Sequence, residues 1–181
     1  MEGFGVNTFT LINSDGERHF VKFHLIPDLG VYSLTWDEAM KLAGQDPGTS
    51  IHAYLYCVLI YFTPDFHRKD LHEALQRGVC AKWKFKIQVL KEGDPAIDDF
   101  PFNILDATKI WPEDKVFPLE VGELVLNKTV EEFFPETEQA AFCTAHVVPG
   151  IGFSDDPLLQ GRNFSYFDTQ ISRLGVNWEQ V

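Results

Sequence analysis

The stretch from Asp156 to Gly175 constrains this chain more than any other. Asp156 can accept hydrogen bonds from the orphan N–H groups of a first helical turn, Pro157 has the fixed φ suited to the first helical position, and Gly175 can take the left-handed conformation that stops a helix. The pattern predicts a capped helix between them. Along it, Phe164, Phe167, Ile171 and Leu174 recur at steps of three and four, an apolar stripe expected to face a core. Arg162, Tyr166, Thr169 or Gln170, and Arg173 form a second stripe, so two guanidinium groups and a phenol lie along one side.

An arginine and a tyrosine one turn apart ordinarily mark a solvated face, but their chemistry allows more. A phenol, whose ordinary pKa is about 10, is a phenolate at neutral pH only where something favours the charged form. An arginine one turn away does this by charge and hydrogen bonding. A phenolate is a hard anionic ligand for ferric iron, and tyrosine is one of the side chains that hold haem. The second arginine, Arg173, could then reach a haem propionate.

The segment Leu159-Gln160-Gly161-Arg162-x-Phe164-x-Tyr166-x-Asp168-Thr169 resembles the proximal haem-ligand signature of the monofunctional haem catalases. Gly3-Phe4-Gly5-x-x-Thr8-Phe9, Phe100-Pro101-Phe102-x-x-x-Asp106-x-Thr108-Lys109-x-Trp111-Pro112, Leu124-x-Leu126-Asn127 and Glu136-x-Glu138-Gln139-x-x-Phe142 resemble catalase segments in the family's order. Ser33-Leu34-x-Trp36-Asp37-Glu38-Ala39 and Asp65-Phe66-His67-Arg68-x-Asp70-Leu71 are most similar to the large-subunit branch of bacteria and fungi.

The resemblance implies an α+β fold: part of a catalase-type antiparallel barrel, roughly its second half, with helices, long loops and a C-terminal haem-ligand helix, all within one partial core domain over 1–181. It implies disproportionation of hydrogen peroxide to water and oxygen. Tyr166 would be the axial ligand to the haem iron, Arg162 would hold it as phenolate, Arg173 would pair with a propionate, and Phe142 would lie along the haem. Asp156 would back up Arg162 through a charge-assisted pair as well as capping the helix. Asn7 stands where the family usually has a histidine beside the proximal arginine; it can hydrogen-bond but cannot carry charge, so the relay is expected to be weakened. The family's distal histidine, with its serine and asparagine partners, belongs upstream of the segment matching Met1, so no distal catalytic residue is expected here. Splitting the O–O bond needs a base over the iron, and this stretch alone is therefore expected to be inactive. The alternative is a non-catalytic haem-binding remnant, or a structural fragment that associates with intact catalase. Full-length members are expected to be homotetramers.

The formal charge of −12 argues against nucleic acid or an anionic membrane as partner, since both require a basic patch. No secretory signal is visible at Met1-Glu2-Gly3, which implies a cytoplasmic or peroxisomal location. Cys57, Cys80 and Cys143 lack Cys-x-x-Cys spacing and fit reduced thiols. His19, His24, His52, His67, His72 and His146 show no metal-ligand spacing. Asn127-Lys128-Thr129 and Asn163-Phe164-Ser165 match the glycosylation pattern, but the second lies inside the haem-helix motif and both are discounted.

Strands are predicted at Thr8 to Ile12 and Arg18 to Leu25 around the Asp15-Gly16 turn, and at Lys82 to Val89, whose alternation predicts one wet and one buried face. Gly122 to Asn127 is a further strand candidate. Thr35-Trp36-Asp37-Glu38 reads as a capping box opening a helix that stops at Gly44, and Phe66 to Arg77 is a second helix. Between them, 47–63 is an atypical insertion with an apolar run from Ile51 to Phe62, short of the about 20 residues a bilayer span needs. It reads as a translated intron in preference to a loop.

Overall fold

A computed structural model describes residues 1–45 and 66–180. The insertion at 47–63 lies outside the described residues. Strands β1 (Gly3–Phe4), β2 (Phe9–Ile12), β3 (Arg18–Pro27), β4 (Ala81–Lys91), β5 (Leu119–Leu126) and β6 (Ile151–Phe153) form one sheet in the order β5-β4-β3-β2-β6, with β1 paired to β3. Helices α1 (Trp36–Gln45), α2 (Phe66–Gln76) and α3 (Pro157–Leu174) accompany it. The chain divides into two compact units. One comprises Met1–Glu2, Ile26–Trp83 and Glu123–Thr129; the other comprises Gly3–Leu25, Lys84–Gly122 and Val130–Val181.

In the first unit, half of the capping box forms at α1: the Thr35 backbone N–H donates to Glu38 Oε2 at 3.2 Å. Gly78, at φ 81°, ends α2, where a side chain would be strained.

The second unit carries the hairpin. Phe9 pairs with Val21 and Ile12 with Arg18, antiparallel. Asn13 Oδ1 closes the turn by accepting from the Asp15 and Glu17 backbone N–H groups at 3.0 and 2.8 Å, and Gly16 supplies the positive φ of 79°. Strand β6 pairs with the outer side of β2, and Gly152 there is obligatory. A Cβ at that position would stand 2.7 Å from Thr10 Oγ1.

Successive residues of these strands point to opposite faces, and the two faces differ. Phe153, Phe9, Phe23 and Phe85 form an aromatic row across β6, β2, β3 and β4, with neighbouring ring centroids 5.7 to 6.4 Å apart, and all four remain half-buried. The other face is covered by the segment following β4. There Leu90, Phe100, Ile104, Trp111 and Val116 make the core, flanked by Phe20, Ile97, Phe102 and Leu105.

The alternation over Lys82 to Val89 predicts that Trp83, Phe85, Ile87 and Val89 are the buried set. Instead the most buried positions of β4 are Gln88 and Leu90, in register with the lysines. The reason is the covering segment. Gln88 Nε2 donates to the Trp111 and Val116 carbonyls at 3.2 and 2.7 Å, which satisfies backbone groups that the core would otherwise orphan. Its Oε1 faces His24 Nε2 at 2.9 Å.

Lys22 shares this interior. It is 3% exposed, donates from Nζ to the Lys109 carbonyl at 2.9 Å, and stands 5.3 Å from the Trp111 ring centroid. Burial pushes its ammonium below the ordinary lysine pKa, against the opposing pull of the Asp156 and Asp106 carboxylates. With the folded pKa below the unfolded one, the unfolded chain holds the extra proton between the two values. Stability from this group is therefore lowest below the folded pKa and recovers as pH rises toward about 10.4. Relative to Lys22→Met, the wild type is expected to gain stability as pH rises toward about 10.4. Urea unfolding of both proteins at each pH checks this, and a gap that moves the other way would refute it.

Candidate functional site

Helix α3 begins and ends as its sequence dictates. Asp156 Oδ1 accepts from the Leu158 and Leu159 backbone N–H groups at 2.9 and 3.2 Å, Pro157 occupies the first turn, and Gly175 closes the helix at φ 71°. Leu159 is the buried residue of α3.

The apolar stripe departs from expectation. Phe164 is 77% exposed, Phe167 and Ile171 lie on the surface, and Leu174 is half-buried, so the stripe does not face a core of the described residues. Among the described residues, Phe167 meets Trp178 edge-on at 5.0 Å between centroids, in the 3₁₀ turn Gly175–Gln180 that follows the helix. The helix is oriented by its polar contacts, since its buried N-terminal cap and Arg162 are what reach into the unit.

Those contacts form a continuous line. Asp156, 1% exposed, accepts on Oδ2 from Asn7 Nδ2 at 3.0 Å and from the Thr8 N–H at 3.3 Å. Asn7, also buried, accepts on Oδ1 from Arg162 Nη1 at 2.5 Å. Arg162 Nη2 donates to Tyr166 Oη at 2.6 Å, and its guanidinium carbon lies 5.2 Å from the Tyr166 ring centroid. Arg162 and Tyr166 are half-buried. The sequence leads one to expect Asp156 paired directly with Arg162. The structure corrects this: Asn7 stands between them, because the carboxylate is already filled by four N–H donors at the helix start and in the Asn7-Thr8 step.

Thr8 ties the line to the core. Its Oγ1 donates to the Ile104 carbonyl at 3.2 Å, the same carbonyl that accepts from Trp111 Nε1 at 3.0 Å, and its own carbonyl accepts from Ser154 Oγ. Thr8, Ser154, Gln88 and Lys22 are the site-supporting residues that periodicity does not reveal. The one sequence signal is that Lys22 sits between Val21 and Phe23, and Gln88 between Ile87 and Val89, as polar residues in apolar runs.

The remaining predicted residues gather along α3. Arg173 Nη1 and Nη2 donate to the Glu138 and Ala140 carbonyls, both at 2.6 Å. Gln170 Nε2 donates to the Phe142 carbonyl at 2.9 Å, and Thr144 Oγ1 donates to Asn163 Oδ1 at 2.6 Å. The helix thus clamps the segment after the turn Phe134–Glu138, while the Phe142 ring stays 86% exposed. Arg173 is engaged with two carbonyls, but a guanidinium has five N–H donors and these bonds do not exhaust it.

An antiparallel sheet carrying a capped helix, with a phenol on that helix held by an arginine one turn away, defines an α+β protein. The family model for catalase matches residues 1–57 and 58–181, and the chain belongs to the catalase family. It is 63% identical over 181 residues to Catalase A of Aspergillus fumigatus, covering all of this chain and 22% of that protein. It is 50% identical over 182 residues to Catalase HPII of Pseudomonas putida, covering 100% of this chain and 23% of that one. A solved fungal catalase superposes with a TM-score of 0.83 at 35% identity, over 100% of this chain and 32% of the other. The fold is therefore a partial catalase barrel, and the chain spans about a fifth of the length of the curated relatives it matches, 22% for the first. Among the described residues, no helix is long and apolar enough to cross a membrane.

Proposed function

We propose that this chain supplies the proximal side of a haem catalase site, acting in the disproportionation of hydrogen peroxide to water and oxygen. The observation that carries the proposal is the 2.6 Å hydrogen bond from Arg162 Nη2 to Tyr166 Oη. Guanidinium can only donate, so it favours the ionised oxygen and leaves that oxygen's remaining lone pairs for a metal. The donor set fits ferric haem: a hard anionic oxygen for the iron, and the exposed rings of Phe142 and Phe164 for a flat apolar ligand.

Haem, when bound, supplies the redox chemistry with peroxide. The chain's own residues do the rest. Tyr166 would hold the iron through Oη as a phenolate, its proton released to solvent, and Arg162 would balance the charge on that oxygen. Asn7 and Asp156 hold Arg162 in place. Arg173 contributes guanidinium donors for a propionate, beyond the carbonyls it already meets. Relatives named as catalases support this reading, and hydrogen peroxide as substrate and a homotetramer as the working assembly are proposed with it.

Adding haemin to the purified chain is expected to give ferric–phenolate charge-transfer absorption. A spectrum equal to that of free haemin overturns the reading. Oxygen evolution from peroxide, compared with haemin at equal concentration, separates a catalytic protein from one that only binds haem.

A further inference from the structure

Asp156 and Arg162 are opposite charges held on one helix, and yet they do not touch. Asn7, from the step before β2, fills the gap with an amide only 3% exposed. Its orientation is forced: guanidinium only donates, so Oδ1 must face Arg162, and a carboxylate only accepts, so Nδ2 must face Asp156. The amide dipole is therefore aligned between cation and anion with both ends satisfied.

We infer that Asn7 is a positioning residue whose task is separation: it keeps Asp156 from pairing directly with Arg162, so that the guanidinium remains committed to Tyr166 Oη. A carboxylate takes guanidinium in bidentate fashion when the two can meet. An anion at position 7 would draw both Nη groups toward itself, and Nη2 would leave the phenol. The amide takes one donor, Nη1 at 2.5 Å, and leaves Nη2 on Tyr166 at 2.6 Å. Meanwhile the carboxylate stays where it is useful for the fold, on the first-turn N–H groups of α3 and at the positive end of its dipole. This rests on the reading of Tyr166 as the iron ligand only for its functional consequence; the separation itself is a property of the haem-free chain.

The test exchanges the two groups. Asn7→Asp alone sets two carboxylates against each other at a 3.0 Å contact and can fail for that reason only. The double variant Asn7→Asp, Asp156→Asn preserves total charge and shape, retains an amide oxygen to cap α3, and keeps a 7-to-156 hydrogen bond in the reverse direction. Only the Thr8 N–H loses its acceptor. If Asn7 merely fills space and bridges, the exchange is silent once folded. If it separates charge, Arg162 is diverted onto the new carboxylate.

The readout is the Arg162 side-chain nitrogen resonances of the isotope-labelled, haem-free chain, with and without Tyr166→Phe. In the native background, Tyr166→Phe is expected to shift the Arg162 Nη signals. In the exchanged background it is expected to leave them unchanged. Equal shifts in both backgrounds overturn the inference. Haemin binding is expected to weaken about tenfold in the exchanged protein, the scale of one charge-assisted hydrogen bond. Unaltered haemin binding there, in a protein whose native form loses haemin with Tyr166→Phe, also overturns it. Should Tyr166→Phe not affect haemin in the native form, the ligand reading fails while the resonance comparison still decides the role of Asn7.

Discussion

Tyr166→Phe is expected to abolish the ferric–phenolate absorption of the haemin-loaded protein while leaving the chain folded. The ring is half-buried and its contact with the Arg162 guanidinium survives the change; what is lost is one oxygen, bonded to Arg162 Nη2 at 2.6 Å. The stability cost is that of one hydrogen bond to a charged group, about 1.5–3 kcal/mol at most. The spectroscopic cost is complete, since phenylalanine offers iron no donor. Arg162→Ala is expected to be nearly as damaging to the absorption, because the phenolate then loses its adjacent charge. Tyr32→Phe, at a position 66% exposed, is the control expected to leave the absorption in place. Absorption that persists in Tyr166→Phe and disappears in none of the others would remove this tyrosine as the ligand.

The part of this arrangement that sequence discloses is the part written in local chemistry. Asp156, Pro157 and Gly175 act on their own neighbours, so the ends of α3 can be read directly, and the same holds for the Asn13 to Glu17 turn and for Gly78. The pairing of Arg162 with Tyr166 is likewise a matter of one helical turn. Periodicity, in contrast, tells only that a residue set shares a side, not what covers that side. The Phe164, Phe167, Ile171 stripe therefore reads as core although it is exposed, and the lysine register of β4 reads as wet although Gln88 and Leu90 in it are buried. Covering of the second face depends on the segment from Phe100 to Val116, whose irregular backbone has no period to read. The Asn7 bridge is less accessible still: its partners lie 149 and 155 positions away. Resemblance places a side chain beside the proximal arginine there, but its hydrogen bonds to both Arg162 and Asp156 appear only in the folded chain.

Asp156→Ala is expected to lower stability more than any other single change in this line. Alanine removes the cap of α3, worth about 1 kcal/mol, from Leu158 and Leu159. It also orphans Asn7 Nδ2 and the Thr8 N–H, each buried, at about 1–3 kcal/mol each. The sum is roughly 3–7 kcal/mol, a large fraction of the 5–15 kcal/mol typical of a domain. Asp156→Asn should cost about 1 kcal/mol less, since an amide oxygen still caps the helix while only the Asn7 and Thr8 donors meet the wrong group. Urea unfolding of both variants, with the slope required to match wild type, measures the difference. Equal midpoints for the two variants would mean that the helix cap contributes nothing here. A wild-type midpoint for Asp156→Ala would mean that the whole line from Asp156 to Tyr166 holds without its anion. With the anion gone, Asn7 is free to turn, so the Arg162 contact to Tyr166 is expected to loosen even in the fraction that stays folded, and haemin absorption should fall in Asp156→Ala more than in Asp156→Asn.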